Sequence, residues 1–175
     1  MQTFSPKEHE KFKKYFYIKN DLSEIDKAFL EKTKKYIRYI KWIPWLKMIA
    51  VGNSISMNAG TPESDIDLFI VTTPDTMWIN RIVITFIFFL LWVRKTDKKH
   101  AFMFCLSFFA TTEWMNFKNW KIQDDIYLYF WIVYLKPILS YDDTYEHFLQ
   151  INSTWADFSF YQDIIENNKT FIAYK

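Results

Sequence analysis

Residues 82–93 form an almost unbroken apolar run from which only Thr85 departs, and Arg81 and Arg94 close it at its two ends. Its twelve residues fall short of the roughly 20 that a membrane-spanning helix needs, whereas runs of about 10–14 are ordinarily core helices. A second apolar segment, residues 126–139, is interrupted by Lys136 and Pro137. Neither spans a bilayer. A helix apolar all round is expected to be covered on several sides, a partner's surface being one candidate cover.

Composition says what else must pack. The chain has 175 residues with 8 Trp, 11 Tyr and 18 Phe, ample material for a core and incompatible with disorder. Only two Gly and five Pro are present, which argues against a turn-rich all-β sandwich. The lone cysteine, Cys105, excludes a disulfide framework and reads as a small buried hydrophobe between Phe and Leu. Residues 1–20 are charged throughout and lack a secretory apolar stretch, so a cytoplasmic setting is expected. Net charge is +5 over residues 1–45, +1 over 46–112 and −4 over 113–175. A solvated lysine face explains the basic front most simply, with contact to phosphates or RNA as the other reading.

Ser23 and Asp26 form a capping-box pattern, starting a helix that Ile43-Pro44 should end. Ile25, Phe29, Thr33, Tyr36, Ile37 and Ile40 share one face of it. Leu46–Val51 reads as a buried strand. Residues 64–72 read as a second strand, with Asp65, Asp67, Phe69 and Val71 on one face. Pro74-Asp75 is a turn, after which Asp75 or Thr76 caps a helix running to about residue 95. A third strand is expected over residues 101–110, which contain no acid, and helices over 124–135 and 144–152. The whole is read as one unit: an N-terminal helical flank (1–45), a core (46–112) and a helical C-terminal part (113–175).

The chemistry concentrates in Gly52-Asn53-Ser54 and, ten residues on, Asp65-Ile66-Asp67. Alternation along a strand puts both carboxylates on one side, where they repel unless a cation sits between them. Hard divalent ions take such oxygen ligands together with substrate phosphates. A strand running into Gly52-Asn53-Ser54 opens a helix whose free N–H groups face an anion, with Ser54 adding a hydroxyl. A phosphate cradle beside a carboxylate pair describes metal-assisted phosphoryl or nucleotidyl transfer.

This stretch resembles the signature of the polymerase-β-like nucleotidyltransferase superfamily, and in particular its compact bacterial members. Thr61-Pro62-Glu63-Ser64 before the acid pair, Cys105-Leu106-Ser107-Phe108-Phe109 and Asp125-Ile126-Tyr127-Leu128 extend the likeness over residues 22–152; its specific part is residues 50–72. The resemblance implies an α+β fold, a small mixed β-sheet with packed helices. It implies Asp65 and Asp67 as ligands of Mg²⁺ or Mn²⁺, and Gly52, Asn53, Ser54 and Ser64 as nucleotide-binding residues. The donor would be an NTP, ATP first among them; a small molecule, a protein or an RNA end stays open as acceptor. Three departures stand out. With Ser54 on the family's usual serine, Asn53 sits where a glycine is normally found and Gly52 comes one position early. Met57-Asn58 replaces the Arg-Gly of many relatives, and the third strand lacks their third carboxylate. Ser107 is placed on the relevant face, with Glu113 or Asp125 as substitutes for the missing acid, Glu113 preferred. An alternative is a nucleotidyltransferase-fold binding module of weak or no activity, acting through a protein partner or as a homodimer. His9, His100 and His147 have no ligand-like spacing and carry no role.

Overall fold

The computed structural model describes residues 1–175. In chain order the elements are α1 (Pro6–Tyr15), α2 (Glu24–Ile37), β1 (Leu46–Val51), α3 (Asn53–Ser56), β2 (Ile66–Thr72), α4 (Met77–Leu90), β3 (Phe104–Thr111), α5 (Ile126–Tyr134), β4 (Lys136–Ser140), α6 (Thr144–Asn152) and α7 (Gln162–Lys169), with a 3₁₀ turn at Ser159–Tyr161. The fold is α+β. Its four strands lie in the order β3-β2-β1-β4; β1 is antiparallel to both β2 and β4, and β2 is parallel to β3. Alternation along the strands divides the core. Ile49, Val51, Ile66, Leu68, Ile70 and Leu106 pack against α2 and α4 on one face. Met48, Ala50, Phe69 and Val71 pack against α1, α5, α6 and α7 on the other.

The α2 start is the expected capping box: Ser23 accepts from Asp26 N–H, and Asp26 accepts from the Ser23 backbone. Asp26 is fully buried and its second oxygen accepts from Gly60 N–H at 3.0 Å, joining the helix start to the loop before β2. Several boundaries differ from the sequence expectation. α2 stops at Ile37 rather than at Pro44; residues 38–43 tighten into successive turns, with Tyr39 N–H on Tyr36 and Ile43 N–H on Ile40. β2 starts at Ile66 because Ser64 is held in a turn, donating its N–H to Thr61 O and accepting from Thr61 N–H. α4 ends at Leu90, short of residue 95. Trp92 there takes φ 57° while Val93 N–H reaches Phe88 O and Trp92 N–H reaches Phe89 O, a Schellman stop built without glycine. Neither Asp75 nor Thr76 caps that helix through its side chain. Lys136 and Pro137, read as a mere interruption of an apolar segment, begin β4. As an edge strand β4 tolerates the proline, which sits opposite Ala50 at a register shift.

The apolar run is also not covered on several sides. Ile84 and Phe88 of α4 are buried, but Trp78, Ile79, Ile82, Phe86, Phe89 and Leu90 are exposed. No helix is long and apolar enough to cross a membrane.

Candidate active site

Ending at Val51, β1 delivers the chain to Gly52, whose N–H donates to Asp67 O at 2.9 Å. The next residue, Asn53, opens α3 in the left-handed region, φ 54°, where asparagine is among the few non-glycine residues tolerated. Its side chain ties three elements together: Nδ2 donates to Asp67 Oδ2 at 2.8 Å, while Oδ1 accepts from Tyr127 Oη at 3.2 Å and Trp131 Nε1 at 3.1 Å. The turn, the acid strand and α5 are thereby held in one arrangement. Asn58 likewise takes φ 56° beside a buried Met57.

Gly52 is needed for space, not for its dihedrals. Its φ of −113° suits any residue, but a Cβ would meet Trp131 Nε1 at 2.9 Å. Trp131 is buried against Phe69, Phe108 and Phe117. Gly52→Ala is expected to destabilise by about 1–3 kcal/mol in urea unfolding, as overpacked cores do; an unchanged midpoint would mean that the indole yields freely. At Asn53 the backbone and side-chain contributions separate. Asn53→Gly and Asn53→Ala both lose the side-chain hydrogen bonds, but glycine also relieves the left-handed backbone of its Cβ whereas alanine keeps one there, so alanine should be the less stable of the two by about 1 kcal/mol. Equal unfolding midpoints would put the whole effect on the side chain.

Asp65, just before β2, and Asp67, within it, converge as the alternation requires. The third member of the cluster is Cys105: one ligand atom from each of the three lies within 4.8 Å of the others. Parallel pairing of β2 with β3 sets Asp67 beside Cys105, so this cysteine is half-buried at the site rather than a core hydrophobe. Ser107 is its neighbour, Sγ and Oγ being 3.2 Å apart. Burial pushes the Cys105 thiol up; the Ser107 hydrogen bond opposes this, and the Asp67 and Asp65 carboxylates add to it. It therefore remains a thiol at neutral pH. Asp65 is ion-paired with Lys95 at 2.6 Å, and this hydrogen bond raises the lysine's pKa. Lys95 arrives because the residues after α4 run beside β3, its N–H donating to Phe104 O. Next to Cys105 and Ser107 opens a cavity of about 850 Å³ whose charged lining is mostly basic: Arg81, Arg94 and Lys95, with Asp97 the one acid; His100 also lines it.

The remaining sequence candidates separate. The Ser54 hydroxyl, half-buried at the α3 start, stays outside the Asn53 network. Ser64 is spent on its own turn. Glu113 is not near the acid pair. It follows the far end of β3, six residues beyond Cys105 at the strand's last residue, which is about 20 Å at roughly 3.3 Å per residue. Asp125 caps α5 through Leu128 N–H. Sequence reasoning missed Lys95, His100 and the thiol. Arg81 and Arg94 were visible as the brackets of an apolar run, but nothing local tied them to a site.

No family model, no curated protein and no solved structure matches this chain.

Proposed function

We propose that the chain is a metal-dependent nucleotidyltransferase of the polymerase-β-like kind, moving a nucleoside monophosphate from an NTP, with ATP the first candidate, to an acceptor hydroxyl and releasing pyrophosphate. The observation that carries this reading is the convergence of Asp65 and Asp67 beside a turn that Asn53 ties to Asp67. The donor set fits a hard divalent cation: two carboxylates suit Mg²⁺ or Mn²⁺, while sulfur, a soft ligand, adds little to either. When bound, such an ion would offset charge developing on the transferring phosphoryl group. Asp65 and Asp67 would hold it, with Lys95 leaving Asp65 for the triphosphate. Arg81 and Arg94 draw the polyanion into the basic cavity, and the Ser54 hydroxyl donates to a phosphate oxygen. The acceptor hydroxyl then attacks the α-phosphorus in line, its proton passing to solvent, as the bond from the α-phosphorus to the oxygen bridging to the β-phosphate breaks and pyrophosphate leaves.

The test is label transfer from each α-³²P-NTP with Mg²⁺ or Mn²⁺, offering the protein itself, total RNA and a small-molecule extract as acceptors. The parent is expected to transfer label and the Asp65→Ala/Asp67→Ala variant, folded by circular dichroism, is not. Equal labelling by both, or none by the parent, would overturn the proposal.

A second reading has one observation in its favour, Cys105 standing beside the acid pair where active relatives are expected to carry a third carboxylate. The fold would then bind a nucleotide without transferring it. Retention of NTP with no labelled product distinguishes it.

A further inference from the structure

A second cavity, of about 910 Å³, lies where the far half of β3, the loop that follows it and the starts of α4 and α5 meet. Its walls are rings: Trp78, Phe108, Trp114, Phe117, Trp120 and Tyr127. Three acids also line it, Asp75, Glu113 and Asp125, and no Lys, Arg or His does. Asp125 is engaged as the α5 cap, but Asp75 and Glu113 belong to none of the chain's ion pairs. Thr111, also in the lining, is 8% exposed and its hydroxyl has no hydrogen-bond partner. That hydroxyl is itself closed off from the cavity space, so the rings and the acids are what a ligand would meet. Arg81, on the same helix as Trp78, lies over the Trp78 and Phe109 rings, 5.9 and 5.4 Å from their centroids.

Ring faces attract cations, unpaired carboxylates do the same, and an apolar body fills an aromatic cavity. We infer that this cavity binds an organic ammonium ion, a positive charge carried on an apolar body, and that it is the seat of the acceptor. The second part rests on the nucleotidyltransferase reading. Tyr127 supplies the link: its hydroxyl donates to Asn53, whose amide donates to Asp67, so the cavity wall is two hydrogen bonds from the acid pair. Donor and acceptor then separate by charge. The triphosphate is drawn to the basic cavity and repelled by the acidic one, and the cationic acceptor has the opposite preference. Glu113, far from the acid pair, has its role here, facing the acceptor.

Choline and 3,3-dimethylbutan-1-ol test this, because they share shape and hydroxyl and differ in the charge of one atom. By calorimetry without NTP or divalent cation, choline should bind about 10-fold or more tightly than the neutral alcohol, the scale of a partly desolvated cation–π contact. Trp114→Ala, Trp120→Ala and Glu113→Gln should each weaken choline severalfold while leaving the neutral alcohol nearly unchanged in the Glu113 variant. Trp114 and Trp120 are 61% and 67% exposed, so these variants should fold, and circular dichroism checks them. Equal binding of the two probes, no binding of choline up to its solubility, or tighter binding of adenosine displaced by neither probe would overturn the inference. The Asp65→Ala/Asp67→Ala variant should still bind choline. Choline binding without label transfer would therefore sink the transferase reading and its acceptor role but keep the cation site.

Discussion

On the proposed nucleotidyltransferase reading, Asp67→Asn should lower label transfer by a factor on the order of 10³ with a melting temperature within about 2 °C of the parent's. A metal ligand contributes several kcal/mol to transition-state charge stabilisation, and about 4 kcal/mol corresponds to three decades in rate. The small structural cost follows from geometry. Asp67 is partly buried; its carboxylate accepts from Asn53 Nδ2 at 2.8 Å and stands beside Asp65 and the Cys105 thiol. An asparagine oxygen can still accept that bond, as a neutral and weaker acceptor. Charge is thus removed with shape and hydrogen bond retained, which alanine would not achieve. Initial rates of label transfer at saturating NTP, beside a thermal melt, decide it. A variant keeping a tenth or more of the parental rate would show that Asp67 holds no essential cation, and one that melts far lower would make the carboxylate structural.

What the sequence made legible was local. Alternation placed Asp65 and Asp67 together, the Ser23–Asp26 box fixed the start of α2, and β1 and α6 have the expected ends. What it hid depends on residues far apart in the chain. Ser107 was placed on the face of the acids and does stand there beside Cys105, but it is Cys105 that the parallel register pairs with Asp67. Glu113 looked adjacent because it follows the strand; parallel strands share their direction, so a residue past the end of β3 lies at the far end from a site at the start of β2. Lys95 was inside an expected helix, and only the Trp92 reversal brings it to Asp65.

Turns were obscured by a related circumstance. With two glycines in the chain, left-handed positions fall to Asn53, Asn58, Asp75, Asp124, Asp142 and Asp143, and even to Tyr17, Trp92 and Phe102. Asn and Asp are enriched at such positions, but aromatic residues give no warning of them. β4 was hidden because apolar residues continue from α5 into it without a polar break; the chain simply switches to ψ 127° at Leu135.

Raising the pH from 7 to 9 should stabilise the protein by about 2 kcal/mol through one group, Lys136. This lysine is 3% exposed on β4 opposite Val51, the residue before Gly52. Its Nζ donates to the Ser56 carbonyl and, at 2.7 Å, to Asn58 Oδ1, so it braces the end of α3. Burial pushes its pKa down to about 7 from an ordinary 10.5, and the buried Asp26 carboxylate only partly opposes this. The small cavity beside it adds His9, Lys13, Lys19 and Asp163. The sign follows from proton counts: between pH 7 and 10.5 the unfolded lysine holds a proton that the folded one has released, so unfolding takes up a proton and becomes harder as pH rises. Below pH 7 both forms are protonated and the cost of burying the charge is constant. Tyr129, Tyr134, Tyr145 and Tyr161 are raised by burial; their contribution is whole below pH 10 and lost above it, which caps the rise. Cys105, also raised, pulls the same way near pH 9. Urea unfolding of the parent and Lys136→Met at pH 7, 8 and 9, with reductant, isolates the lysine because the other groups are common to both. The parent's stability should climb about 2 kcal/mol relative to the variant's. Parallel pH profiles would mean that Lys136 keeps its charge in the folded protein, held by Ser56 and Asn58 as an ammonium.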